Sequence, residues 1–295
     1  MLRDRLRTSA ILITICVVLL VLDTVVRIPG AEGFWLLPLL LFFAGGTAWE
    51  MATMLGEGGH PIRRGVAVAG ALVLSGSAAI PFLWAFSDDG YPADCPVGRL
   101  GWIVLATTAV LFMILLAEMR VYGLSTDDEP GNTIRRTCAA AFVSVYVGVP
   151  MAMLTEIRGF NADASLGRFG LAALITTIIV TKVADAGAYF SGRALGKHKL
   201  IPRLSPGKTI EGAIGGILAS TLAAYLCFEF LFDALAADVT TTTTETSGTA
   251  VTTGFGEIIS LPYVGALILG PVLAISGMVG DLAESLFKRD AGVKD

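Results

Sequence analysis

Eight long apolar stretches separated by short polar ones limit what this chain can fold into more than anything else in it. They run over residues 8–26, 34–55, 65–86, 100–119, 138–154, 166–183, 210–232 and 258–280. Each has close to the roughly 20 apolar residues that one helix needs to cross a bilayer core. Hydrocarbon offers the backbone no hydrogen-bonding partner, so segments of this kind must be helical. Composition agrees, with 54% hydrophobic and only 16% charged residues, against about one quarter charged in soluble chains. The expected fold is an all-α, polytopic integral membrane protein of about eight transmembrane helices. The basic start and first apolar run resemble a signal peptide, but no small-residue cleavage site appears before Val26, so a retained first span is expected.

Cationic residues orient the spans. All but four of the 21 lysines and arginines fall on the N-terminus, the C-terminus and alternate loops, which share one side of an eight-span arrangement. The opposite side keeps only Arg27, Arg99, Arg158 and Arg168. By the positive-inside rule both termini are cytoplasmic, in a cell (inner) membrane. The opposite-side loops look passive. Residues 87–98 are acidic and turn-rich, with Asp88, Asp89 and Asp94, and residues 238–256 are a low-complexity, threonine-rich linker without a cation. No internal repeat of the inverted kind found in transporters is evident.

Two regions are expected: residues 1–160, about five spans forming a scaffold, and residues 161–295, whose spans carry a cytoplasmic-face loop at 182–211 and a motif at 276–295. The four cysteines contain no C-x-x-C pair, and His60 and His198 lie in different loops. A disulfide framework and a thiolate or histidine metal site are therefore not expected.

Polar chemistry gathers in the second region. Lys182, Asp185 and Tyr189 recur at three- and four-residue spacing, so they can share a helix face. A basic segment follows, then Ser205-Pro-Gly-Lys-Thr-Ile-Glu-Gly, where Pro206 and Gly207 set a turn and Ser205 or Thr209 can cap the next helix. The N–H groups at such a helix start, with Lys208 beside them, make an anion site. The plain alternative is a juxtamembrane cation anchored to anionic lipid. Gly207-Lys208-Thr209 is not a P-loop: Pro202 occupies the position of the first required glycine, and an eight-helix chain offers no preceding strand. Gly212-x-x-x-Gly216 allows another helix to approach closely.

The last twenty residues continue an apolar run into carboxylates, a hydroxyl and cations. As a helix, this segment aligns Asp281, Ser285 and Lys288 on one stripe, with Glu284 beside it. A mixed-charge helix tip is the bland reading; a carboxylate costly to bury is the functional one. The charge count puts this tail and the 182–211 loop on the same side, so they can form one site with carboxylates for a hard divalent cation and lysines for phosphates. Other ionisable residues are expected to be local: Asp23 pairs with Arg27 four residues on, and Glu50, Glu118, Glu229 and Asp233 sit near span ends where they can snorkel.

Asp185-Ala-Gly-Ala-Tyr-Phe, Gly196-Lys-His-Lys-Leu, Ser205-Pro-Gly-Lys-Thr with Glu211-Gly and Gly215-Gly216, and the run from Gly280 to Asp295 occur in the order found in phosphatidate cytidylyltransferases. From Asp185 onward the chain resembles that family; before it the agreement is in hydropathy and in details such as Trp49-Glu50. The resemblance implies transfer of CMP from CTP to phosphatidic acid, giving CDP-diacylglycerol and pyrophosphate. It implies Asp281 as a metal ligand, Lys208 and Lys288 in catalytic roles, and Ser285 and Arg289 at the substrates. Asp185 and Ser205 are expected at the nucleotide or its metal. The implied cofactor is Mg²⁺, with a second, monovalent cation. The implied partners are CTP, phosphatidic acid and membrane lipid, with a homodimer as the assembly and no nucleic acid.

In that family the Lys-Asp matching Lys294-Asp295 is followed by a His-Gly-Gly segment, an Asp-Arg-x-Asp element and a further span. The sequence stops before them, so the resemblance implies half of a metal site here and little CTP-dependent turnover from residues 1–295 alone. A CTP-dependent lipid or polyprenol kinase and an inactive truncated paralogue are the alternatives. A transporter would need its polar residues near mid-bilayer, whereas here they cluster at one face.

Overall fold

The computed structural model describes residues 2–87, 90–92, 94–123, 129–160, 167–235 and 262–292. Asp88 and Asp89, the threonine-rich stretch and residues 293–295 lie outside them. Over its described part, every apolar stretch is helical. The helices are α1 (Leu2–Val25), α2 (Leu37–Glu57), α3 (Arg64–Ser77), α4 (Gly98–Met119), α5 (Asn132–Gly159), α6 (Arg168–Leu195), α7 (Ile210–Leu226) and α8 (Pro262–Asp290). Six are long and apolar enough to cross a membrane, α3 adds a seventh if its bent continuation is counted, and the apolar part of α1, Ala10–Val25, is shorter. The protein is an all-α, multi-pass membrane protein.

Two boundaries differ from expectation for physical reasons. The stretch 65–86 is not one straight span: α3 ends at Ser77, and a 3-10 segment, Ile80–Phe86, leaves at 45°. Pro81 stands near its start, where the ring and the missing N–H disfavour continuing an α-helix, although Pro150 and Pro271 are accommodated inside α5 and α8. Conversely, α6 does not stop at residue 183. It continues to Leu195, and its 28 residues reach about 42 Å, more than a bilayer core of about 30 Å requires. The last three turns of α6 therefore extend the polar face from Asp185 toward Arg193.

Large apolar side chains such as Val104, Phe112, Leu218 and Leu267 are exposed, whereas Ala44, Ala48, Ala67, Ala71 and Ser144 are buried. This is the inverse of a soluble core. Lipid tails are as apolar as leucine, so helices in a bilayer associate through close packing of small residues and through hydrogen bonds.

The chain divides into two units, Met1–Asp163 and Ala164–Asp295. In the first, α3 packs on α5 so closely that a Cβ on Gly148 would lie 2.6 Å from the Leu74 Cβ and 2.9 Å from the Ala71 carbonyl oxygen. The buried Ser144 hydroxyl donates across this contact to the Ala67 carbonyl at 3.1 Å. Two buried carboxylates of the unit are paired between elements. Asp23 meets Arg158 of α5 at 2.7 Å, with neither side chain more than 3% exposed, and accepts the Gly33 N–H at 3.0 Å. Arg27 instead pairs with Glu32 at 2.9 Å. The expected Asp23–Arg27 pair fails because α1 ends at Val25, which removes the helical i,i+4 geometry. Glu118 does not snorkel either; it is buried between Arg63 at 2.5 Å and Arg136 at 3.0 Å.

In the second unit α6, α7 and α8 pack on one another around a shared core of Val180, Ala223, Ala224 and Ala266. The Gly212-x-x-x-Gly216 spacing performs as expected: a Cβ on Gly212 would lie 2.9 Å from the Ala188 carbonyl oxygen of α6. On the other side of α7, the buried Ser220 hydroxyl donates to the Gly270 carbonyl of α8 at 2.9 Å. A one-turn π segment, Cys227–Leu231, continues α7.

Removing one member of a buried ion pair costs about 3–5 kcal/mol. Asp23→Ala should therefore lower the thermal unfolding midpoint of the detergent-solubilised protein markedly. Substitution of the exposed Trp49 by Leu should leave it nearly unchanged when the two are followed by circular dichroism.

Candidate active site

Residues 196–209 carry Lys197, Lys199, Arg203 and Lys208 with two prolines, a composition that belongs in water or among headgroups. The segment folds as a β-hairpin, a local departure from the all-helical expectation. Strands β1 (Lys199–Ile201) and β2 (Ser205–Thr209) are antiparallel, pairing Lys199 with Thr209 and Ile201 with Ser205. A strand thus does precede α7, which removes one of the two grounds against a P-loop. The other stands, because Pro202 still occupies the glycine position and Lys208 lies on the strand itself rather than after a phosphate-wrapping loop.

Strand β2 feeds directly into α7. Of the two cap candidates, Thr209 takes the role: its hydroxyl accepts the Gly212 N–H at 3.1 Å, satisfying one of the free donors of the first turn. Ser205 sits in the hairpin ladder. Glu211, in that first turn, accepts the His198 backbone N–H with both oxygens at 3.2 Å and meets the His198 Nδ1 at 2.7 Å.

Between the hairpin and the helices lies a cleft of about 400 Å³. Asp185, Tyr189 and Arg193 line it from α6, Lys208 and Thr209 from β2, Gly212 from the first turn of α7, and Asp281 from α8. Lys208 Nζ stands 3.3 Å from Asp281 Oδ2, joining residues 73 apart in sequence. With the aspartate side chain 60% exposed, the pair contributes little to stability; its importance is positional. Lys208 and Arg193 face Asp185 and Asp281 across one small volume, which suits an anionic ligand held together with a cation.

The predicted residues divide. Asp185, Lys208 and Asp281 come together in the cleft, and Ser205, Ser285, Lys288 and Arg289 do not line it. The α8 stripe is helical as expected, but its members turn to near neighbours. The Ser285 hydroxyl donates to the Asp281 carbonyl at 2.9 Å, and Lys288 pairs with Glu284 at 2.9 Å. Arg289 Nε donates to the Leu204 carbonyl at the hairpin turn, at 2.5 Å. Lys182 is 3.9 Å from Asp185 and 78% exposed, outside the cleft lining. Sequence reasoning missed Arg193, which donates to the Tyr189 hydroxyl at 2.9 Å. The available signal was spacing: Arg193 lies eight residues after Asp185 and four after Tyr189, on the same helix stripe.

A layer of membrane helices whose polar ends meet a basic hairpin defines a membrane-embedded protein with a polar cleft at one end of its helices. A family model described as the cytidylyltransferase family matches residues 3–295, and the chain belongs to that family. Among curated relatives, it is 38% identical over 126 residues to a phosphatidate cytidylyltransferase of Haemophilus influenzae, covering 43% of this chain and 36% of that protein. It is 30% identical over 222 residues to one of Bacillus subtilis, covering 75% and 68%. With one of Chlamydia trachomatis it shares 33% over 162 residues, covering 55% and 46%. The matches thus span from about a third to two thirds of the relatives' lengths.

Loss of an N-cap hydroxyl costs about 1 kcal/mol, and here the cap also joins β2 to α7. Thr209→Ala should lower the thermal midpoint modestly and speed amide exchange in the first turn of α7. Hydrogen exchange read by mass spectrometry checks the second effect.

Proposed function

We propose that this protein is a phosphatidate cytidylyltransferase, transferring the cytidylyl group of CTP to phosphatidic acid at the cytoplasmic face of a cell membrane. Family membership supports the reaction class, and relatives named for this activity support the substrates. The single observation that carries the reading to the residues is the meeting of Lys208, Asp281 and Asp185 in one cleft at the ends of membrane helices. The excess of cations on that side supports its cytoplasmic location.

A lipid phosphate oxygen attacks the α-phosphorus of CTP, the bond from that phosphorus to the bridging oxygen breaks, and pyrophosphate leaves. Two anions must be brought together and the developing charge neutralised, so positioning and electrostatics supply most of the acceleration. Lys208 and Arg193 attract the triphosphate and the lipid phosphate, and the positive end of the α7 dipole adds to the field; the first-turn N–H groups of Ile210 and Gly212 are already taken by the His198 carbonyl and the Thr209 hydroxyl. When a phosphate takes Lys208, the Asp281 carboxylate is released from its ion pair.

Two carboxylates line the cleft, and among the described residues no three or more His, Cys, Asp or Glu side chains converge. This donor set fits Mg²⁺, which is usually held by one or two carboxylates and completes its shell with phosphate oxygens and water. Asp281 and Asp185 would hold it. Bound there, it would polarise the phosphoryl oxygens and offset charge on the leaving pyrophosphate.

The test uses the purified protein in vesicles containing phosphatidic acid, with Mg²⁺ and CTP labelled at either the α- or the γ-phosphorus. Whatever label reaches the lipid phase is expected to be α-label, with γ-label in pyrophosphate; from residues 1–295 alone the expected turnover is slow. Asp281→Asn should lower the rate by about 100-fold or more, the scale seen when one charge-stabilising group is removed from a transfer site. Transfer of γ-label to lipid would overturn the reading in favour of a CTP-dependent lipid kinase, and an unchanged rate in Asp281→Asn would remove Asp281 from the site.

A further inference from the structure

The position of Lys208 rests on a hairpin that the buried Thr209 cap joins to α7 and that otherwise has little to hold it. Its ladder joins a three-residue strand to a five-residue strand, and an isolated two-stranded hairpin is marginal in water. Four cations in residues 196–209 repel one another within it, and no carboxylate lies in those residues. Whatever fixes the hairpin therefore fixes the lysine.

Two side chains outside the ladder hold it at opposite ends. At the base, Glu211 receives the His198 N–H on both oxygens at 3.2 Å, next to the backbone bond from the Ile210 N–H to the His198 carbonyl at 2.9 Å. At the tip, Arg289 of α8 donates to the Leu204 carbonyl. Neither Glu211 nor Arg289 lines the cleft. The Glu211 side chain is 23% exposed and the His198 side chain 76% exposed, so the ring reaches into solvent while both carboxylate oxygens meet the backbone amide. A carboxylate in the first turn of α7 is also favoured by the helix dipole.

We propose that Glu211 and Arg289 are positioning residues that clamp the β1–β2 hairpin between α7 and α8 and so hold Lys208 against the cleft. The kinetic part of this inference rests on the cytidylyltransferase reading; the structural part does not. Arg289 thus acts through the hairpin carbonyl rather than by binding substrate. Glu211 acts through the His198 amide, and the imidazole is secondary.

The test pairs limited trypsinolysis with steady-state kinetics on the purified protein in phosphatidic-acid vesicles, for Glu211→Ala, Glu211→Gln, Arg289→Ala and His198→Ala. Trypsin can cut after Lys197, Lys199, Arg203 and Lys208, so hairpin loosening is read directly without turnover. Glu211→Ala and Arg289→Ala should speed cleavage there several-fold while the global thermal midpoint stays close to wild type. The same two variants should lower kcat/KM for CTP by about ten- to a hundredfold, the scale expected when a reacting group is displaced by about 1 Å. Glu211→Gln, which keeps an acceptor for the amide, should recover most of the loss, and His198→Ala should change little. Unchanged hairpin cleavage in Glu211→Ala and Arg289→Ala would overturn the clamp, as would a Glu211→Gln as impaired as Glu211→Ala. If γ-label rather than α-label reaches the lipid but the cleavage pattern is as stated, the function is wrong and the clamp stands.

Discussion

The close crossing of α6 and α7 is the contact on which the second unit depends. Glycine and serine at the crossing let the two backbones approach until a single added methyl on Gly212 would strike a carbonyl oxygen of α6. No apolar driving force operates between helices in lipid, so this fit and the hydrogen bonds beside it must hold them together. It has a second consequence. With α6 against the first turn of α7, the stripe Asp185–Tyr189–Arg193 and the residues Lys208 and Thr209 open onto one cleft. A bulkier crossing would separate the α6 carboxylate from the β2 lysine and dissolve the cleft.

The charges of the two units are used differently. In the first unit, Asp23 with Arg158, and Glu118 with Arg63 and Arg136, are sheltered from solvent and satisfied across elements. Buried pairs of this kind cost much to break, whatever they contribute when intact. In the second unit Lys208 and Asp281 are half open to solvent and only 3.3 Å apart. Such a pair is cheap to separate, which suits the phosphate-binding role proposed for Lys208. The two units thus differ in how far their ion pairs are open to solvent.

The hairpin is the one place where the described chain leaves helical structure for a ladder, and it does so where the composition becomes too polar for hydrocarbon. Beyond the bilayer core the backbone can hydrogen-bond to neighbours other than its own helix turn. A short strand entering a helix start gives Lys208 a direction that a flexible loop would not, and the cap by Thr209 makes that direction continuous with α7.

Much of this was legible in the sequence. Lengths and apolarity determined the helices, because a continuous apolar run of about 20 residues satisfies its own backbone in lipid only as a helix. Spacing alone determined that Asp281, Ser285 and Lys288 share a helix stripe and that Gly212 and Gly216 face a neighbour. The motifs determined where the polar site would gather. What the tertiary structure decided is which of those residues meet. Asp281 turns to Lys208, 73 residues away, while Ser285 and Lys288 are taken by near neighbours, Arg289 holds the hairpin, and Arg193 enters the cleft unannounced. Asp23 bypasses Arg27 for Arg158, 135 positions further on by residue number. Periodicity assigns a side chain to a face of its own element, but it contains no information on which other element covers that face. Only the packing of α6, α7, α8 and the hairpin supplies it.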